Sequence, residues 1–473
     1  MRVKTIENSE VKVRVSSACL AEKKYVVRVL LEEFLGLCVS FEHKPDIKGI
    51  EITCPSKLGT LRIKDDFFEL ASDYWLEEKS LPNDEVWCRN DRFSKLLGEE
   101  NIPVIYGEKN EDGTWWHVEN GVGELGIDIF GSSFFYLSRY EEAVASERDG
   151  HDRFPSDASV SSKWGILHRP VVNEYLEILW DCAKEIWPHL ERTPRDFRIL
   201  PSHDIDWPYL FMDVSMLSAF KNFLRGVKRT KLSDMVTWSW RYVLYRLGNY
   251  AADPYNTIQW IIDQSDKRGL KSAFYYIPQQ THSELDPQDY LDRKDVMNQW
   301  QKIITQGHEI GVHPGYETYL SEKKIKVASD RIRLSLEKLG HTEQKQLGGR
   351  QHFLRWKTPD TSLHWENAGL NYDSTLGYAD KPGFRCGVCY EYPLYDFVNR
   401  RTLKLRERPL IVMDCSVIDQ QYMGLGTGES ALAVMSDLKQ TCRSYDGDFT
   451  ILWHNQRFEV KAERDLYIEL LDS

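Results

Sequence analysis

The heptapeptide SHDIDWP, Ser202 to Pro208, sets two carboxylates, Asp204 and Asp206, two residues apart, where the apolar run of Phe197, Ile199 and Leu200 has just stopped. Polar residues end an apolar run twice more: GVHPGYE brings His313 and Glu317, and LWHN brings His454. In parallel α/β folds the C-terminal ends of the strands converge on one face, where ligands bind, so side chains far apart in sequence can meet there. Asp and His together suit a divalent metal such as zinc. A second acid beside such an ion can take a proton from water. Any one Asp or His at a strand end is ordinarily a cap or a hydrogen-bonded structural residue, so the chemical reading rests on the three stretches jointly.

The elements that must position these residues are legible as an alternation. FRIL (Phe197–Leu200), KSAFYYIP (Lys271–Pro278), HEIGVH (His308–His313), HFLRW (His352–Trp356), PLIVMD (Pro409–Asp414) and FTILWH (Phe449–His454) read as strands. Helices are expected near Val296–Thr305, Lys323–Leu339 and Leu363–Ala368, and one starting near Pro254 and closing on Lys267, Arg268 and Gly269. Strand and helix alternating over most of residues 191–473 suit an α/β barrel, interrupted by a basic, aromatic helical tract at 207–269 that holds FKNFLRGVKRTK and WSWRYVLYRL. That tract is expected to be a solvated face over an ordinary core, with peripheral membrane contact as the alternative. Residues 1–190 read as a smaller α/β domain. VKVRV (Val11–Val15) alternates as a strand, Ser16 and Ser17 offer an N-cap, and apolar residues from Tyr25 to Leu35 follow at helical spacing. DIFGSSFFYLSRYEE (Asp128–Glu142) suits a helix packed by its aromatic face, a further helix is expected over Val172–Ile186, and ERDGHDRFPSDASVSS (Glu147–Ser162) has the composition of a long surface connection.

SHDID, GLKSAFYYIP, GHEIGVHPGYET and ILWHN, in this order and spacing, resemble the polysaccharide deacetylase family, the NodB homology domain also grouped as carbohydrate esterase family 4. Within it the chain resembles a bacterial branch linked to capsule or lipopolysaccharide synthesis, whose uncharacterised N-terminal domain carries segments like DIFGSSFFYLSRYEE and DRFP. The resemblance implies a distorted (β/α) barrel of seven or eight strands, a divalent metal and hydrolysis of an N-acetyl group from a sugar. Carried onto this chain it implies Asp204 as general base, Asp206 and His313 as metal ligands and His454 as general acid, with His308 structural. Two departures stand out. The family's second metal-binding histidine, four residues after the first, is here Glu317, so either Glu317 or His352 completes the ligand set. Its arginine motif has only Arg350 or Arg355 in a comparable place, with Asp373 of NYDST as the acid that would hold that arginine.

Composition narrows the rivals. With 61 basic and 73 acidic residues the chain carries a net charge of −12, which disfavours nucleic acid as a partner. No apolar run reaches the length of a membrane span, the amino terminus does not read as a signal peptide, and nine scattered cysteines do not make a disulfide framework, so a reducing cytoplasm is the expected compartment. Cys386 and Cys389 form a lone CxxC, read as an ordinary loop because no second pair exists. The expected activity is a metal-dependent deacetylase acting on an N-acetylated glycan or sugar derivative. The alternative is a non-catalytic carbohydrate-binding or scaffolding protein that has lost the full metal site. His203 is expected to be structural, and Arg385 of GFRCG is either solvated or a contact for an anionic substrate group.

Overall fold

Period-two patterning builds the first sheet. β1 (Glu10–Val15) buries Val11, Val13 and Val15 and turns Lys12 and Arg14 outward; β2 is Cys38–His43, and β3 (Ile50–Thr53) and β4 (Thr60–Ile63) bury Ile50, Ile52, Leu61 and Ile63. β5 (Trp87–Cys88) and β6 (Ile102–Pro103) form a separate pair, while β7 (Trp116–Glu119) and β8 (Val122–Leu125) complete a six-stranded sheet in the order β2-β1-β3-β4-β8-β7. These elements come from a computed structural model, which describes residues 10–82, 84–215, 232–341, 343–344 and 346–473. The apolar face of the sheet joins the core shared with helix Leu20–Val27, helix Ile129–Leu137 and helix Val171–Ile186. No cap forms at Ser16 or Ser17. The first helix instead begins after Cys19, whose backbone is left-handed (φ 48°), and Ser16 Oγ accepts from the buried Lys23 ammonium at 2.7 Å.

The second sheet has nine strands: β9 (Arg198–Ile205), β10 (Ala273–Tyr276), β11 (Glu309–Val312), β12 (Gly348–Gly349), β13 (Tyr372–Asp373), β14 (Tyr392–Asp396), β15 (Arg401–Glu407), β16 (Val412–Met413) and β17 (Asp448–Leu452). Its order is β14-β15-β13-β12-β11-β10-β9-β17-β16, and every neighbouring pair is parallel except the β14–β15 hairpin. The architecture is mixed α/β. The expected ring of seven or eight parallel strands differs from this sheet, because no ladder among the described residues joins β16 to β14. The free side of β14 is occupied from the first part of the chain: Tyr25 donates its hydroxyl to the Pro393 carbonyl at 2.8 Å, and Glu22 takes the Arg400 guanidinium at 2.7 Å. No helix among the described residues is long and apolar enough to cross a membrane.

Three local expectations are corrected. HFLRW is no strand. At this place in the sheet the strand is Gly348–Gly349, and His352–Leu354 is a single tight turn in which Phe353 and Leu354 take left-handed backbone angles (φ 61° and 54°). DIFGSSFFYLSRYEE is two helices, broken where Arg139 is left-handed (φ 57°) so that its side chain reaches Glu142. The Glu147–Ser162 connection does not run over the surface, since Arg153, Phe154, Ser156 and Ser159 are buried. In the 207–269 tract, helices Leu232–Arg246 and Ile258–Lys267 form, whereas FKNFLRGVKRTK lies outside the described residues.

Candidate metal and catalytic site

The site is built at the C-terminal ends of β9, β11 and β17 and in the turn after β12. Along β9, alternate side chains leave opposite faces. Ser202 and Asp204 point to Arg350, while His203 points the other way, among Phe274, Phe458 and Tyr467. There its Nδ1 donates to the Trp453 carbonyl at 2.8 Å, and burial lowers its pKa to about 4, which makes it a neutral structural group.

Asp206, His313 and His352 meet. Asp206 Oδ1 lies 3.3 Å from His313 Nε2 and 3.6 Å from His352 Nε2, and all three residues are buried. Both rings are oriented from behind. His313 Nδ1 donates to the Arg350 carbonyl at 2.6 Å, and His352 Nδ1 donates to Asp286 Oδ1 at 2.8 Å. A carbonyl cannot donate, and burial against the Asp286 carboxylate is outweighed by its bonds to His352, Thr281 and Tyr316, which hold its pKa below the usual range. Each ring therefore turns Nε2 toward Asp206, and the neutral form with its proton on Nδ1 is the one that would offer a lone pair there. Asp206 Oδ1 is correspondingly a buried atom without a hydrogen-bond partner. Burial opposes the Asp206 charge, but His313, His352 and His454 outweigh it and hold the carboxylate well below its ordinary pKa. Two imidazole nitrogens and one orphaned carboxylate oxygen aimed at a common point are a donor set that a divalent cation completes. Asp206, His313 and His352 also have ligand atoms within 4.8 Å of one another.

Asp204 is held on one side only. Arg350, fully buried, donates to Asp204 Oδ1 at 2.7 Å, to Ser202 Oγ at 2.8 Å and to the Ser374 carbonyl at 2.8 Å. The other oxygen, Oδ2, lies 3.6 Å from His313 Nε2. His454 enters from the opposite wall, with Nε2 3.9 Å from Asp206 Oδ2 and Nδ1 2.8 Å from Asp414 Oδ1. Burial works against charge on this ring, but Asp414 and then Cys415 outweigh it and raise the His454 pKa well above its ordinary value. Arg457 lies 3.4 Å from Asp414 Oδ2 and supplies that corner with its own cation. Asp204, Asp206, His313, His352 and His454 line a cleft of about 280 Å³ that also exposes Trp207, Phe353 and Tyr422.

Four sequence expectations meet a different geometry. Glu317 is no part of the donor set: its backbone N–H is spent on Thr281, and its exposed carboxylate pairs with Lys324 at 3.2 Å, because the turn after His313 points it to solvent. Arg355 does not reach Asp204; it donates to the His151 and Tyr316 carbonyls, at 2.8 Å each, with its guanidinium over the Tyr316 and Tyr319 rings. Asp373 does not grip Arg350. It caps its own turn through Thr375 N at 2.9 Å, and burial, opposed by its bonds to Glu407 and Thr375, raises its pKa to about 6. Arg385 is neither solvated nor in the cleft, being buried against Glu142 at 2.7 Å. Cys386 and Cys389 are buried free thiols.

Asp286 and Asp414 were not anticipated. Asp414 ends PLIVMD just as Asp204 follows FRIL, so the same signal was present; Asp286 lies in a loop, where an acid ordinarily meets only water.

The chain's first part matches the model of DUF7033, a family of unknown function, over residues 11–188. No curated protein matches. Among solved structures it is similar to a Mycobacterium smegmatis protein assigned as a polysaccharide deacetylase (17% identity, 59% of this chain and 84% of the other, TM-score 0.37). It is also similar to a probable polysaccharide deacetylase from Pseudomonas aeruginosa PAO1 (12%, 59% and 88%, TM-score 0.36) and to PuuE allantoinase (11%, 59% and 87%, TM-score 0.33). With TM-scores this low, the likeness says nothing of the reaction.

Proposed function

We propose that this chain is a metal-dependent hydrolase that removes N-acetyl groups from a sugar or polysaccharide, in capsule or lipopolysaccharide metabolism, on a barrel-like sheet. The observation that carries the reading is the convergence of His313 Nε2, His352 Nε2 and the unpartnered Asp206 Oδ1, each ring oriented by an acceptor behind it. Asp206, His313 and His352 would hold the ion, and two imidazoles with one carboxylate suit zinc. When bound, it supplies Lewis acidity toward the acetyl carbonyl and toward water.

The chain's residues do the rest. Arg350 occupies Asp204 Oδ1, so Oδ2 is the atom that takes the proton of the attacking water. His454, kept charged by Asp414, gives its proton from Nε2 to the departing nitrogen. One proton enters at Asp204 and one leaves at His454, and the products are acetate and a free amine. The non-catalytic alternative was motivated by Glu317 standing in place of a histidine, and His352 removes that motive by supplying the second imidazole. Acetate released from N-acetylated sugars and nucleotide sugars by the zinc-loaded chain, and abolished by a chelator, is the expected result. A zinc-loaded chain that hydrolyses none of them defeats the reading.

A further inference from the structure

Strained backbone near the site adjoins one of the residues that would hold the ion. Phe353 and Leu354, immediately after His352, are consecutive non-glycine residues with positive φ (61° and 54°). Such angles cost of order 1–3 kcal/mol each and persist only where the surroundings impose them. The surroundings come from the other part of the chain. Asp149 organises a tight turn, accepting from the backbone N–H of His151 at 2.8 Å and of Arg153 at 3.0 Å, and holding the Arg153 guanidinium at 2.7 Å. Arg153 then donates to the Phe353 carbonyl at 3.1 Å, and the His151 ring packs on the Phe353 ring with centroids 4.8 Å apart. Arg355, on the far side of the strained pair, closes the loop by donating to the His151 carbonyl. Arg153 is buried and lines the cleft beside His352.

We propose that the Asp149–Arg153 turn is a positioning element for the metal site, holding the left-handed Phe353–Leu354 pair and through it His352 against Asp206. The inference rests on the metal reading above and gives the first part of the chain a role in it. Arg153 acts through His352 and is a positioning residue. Groups that orient a ligand from outside its coordination sphere typically change metal affinity by about 10- to 100-fold when removed.

The test is calorimetric titration of the full, chelator-treated chain with zinc, alongside the melting temperature of the metal-free protein. Arg153→Ala is expected to weaken zinc binding roughly 10- to 100-fold while the metal-free melting temperature stays close to that of the parent, and Arg153→Lys, which can still donate to the Phe353 carbonyl, recovers part of the loss. Should Arg153→Ala fail to fold, His151→Ala, which leaves the guanidinium in place, is expected to weaken zinc binding by a smaller factor. A folded Arg153→Ala variant, or failing that a folded His151→Ala variant, with parental zinc affinity overturns this inference and leaves the metal reading intact. A parent chain that takes up no zinc overturns both.

Discussion

The two large sheets place charged side chains in rows, and only one row has unfinished business. Across the first sheet, Glu42, Arg14, Glu51, Arg62 and Glu124 alternate in sign over five neighbouring strands, each in register with the next and each within 3.4 Å of its partner. Every charge there is answered, and the side chains of Arg62 and Glu124 stand open to water. At the ends of the second sheet, Asp206 is buried among histidines that turn Nε2 toward it, and one of its oxygens has no partner. An unsatisfied buried acceptor costs about 1–3 kcal/mol, and more when charged, and at Asp206 the two imidazoles aimed at the same point are what distinguish the place as one a cation would complete. Residue types alone do not separate a structural row from a site; burial and completeness do.

That contrast can be broken or sharpened. The largest effect is expected for Asp206→Ala, which should abolish zinc uptake and lower acetate release by more than about a thousandfold; metal analysis and an acetate assay check both, and full zinc content in this variant breaks the contrast outright. Asp204→Asn should cost roughly 10²- to 10⁴-fold in kcat as a lost general base yet leave zinc affinity near the parental value, since Asp204 stands beside the donor set and not in it.

Glu141 lies between the extremes: it is buried, with Oε1 accepting from Val160 N at 2.6 Å, and burial, opposed by Arg139, raises its pKa to about 7. The folded chain therefore binds this proton more tightly than the unfolded chain, in which a glutamate titrates near its ordinary value, and stability falls as pH rises through the window between the two. Relative to Glu141→Gln, which keeps the acceptor, the parent should lose roughly 1–3 kcal/mol between pH 5 and pH 8 in urea unfolding; parallel curves for the two proteins would contradict it. Smallest is Arg62→Ala, expected to change unfolding free energy by under about 1 kcal/mol because exposed ion pairs contribute little; a loss of several kcal/mol would mean that the outer row carries weight the comparison denies it.

Much of the site was readable because the strands that carry it are. Period two in FRILPSHDID puts Asp204 with Ser202 and sets His203 on the other face, and the apolar runs before His313 and His454 mark them as strand ends. The choice between Glu317 and His352, and between Arg350 and Arg355, could not be made from spacing. Arg350 and Arg355 are separated by a turn whose direction depends on the left-handed Phe353 and Leu354, and no propensity favours Phe there; Glu317 and His352 are separated by helix Glu322–Lys338 and β12, whose placement only the fold decides. Asp286 was invisible for a related reason, since a loop acid becomes an orienting group only when a distant imidazole is folded against it.

By itself, then, the sequence determined the alternation of strands and helices, the apolar faces and three of the polar strand ends, since these follow from burying every second or every third to fourth side chain. Tertiary structure alone decided which imidazole joins Asp206, which arginine reaches Asp204, and that a turn from the first part of the chain braces the cleft. Those outcomes depend on contacts between segments 146 to 200 residues apart, and local pattern carries no information about them.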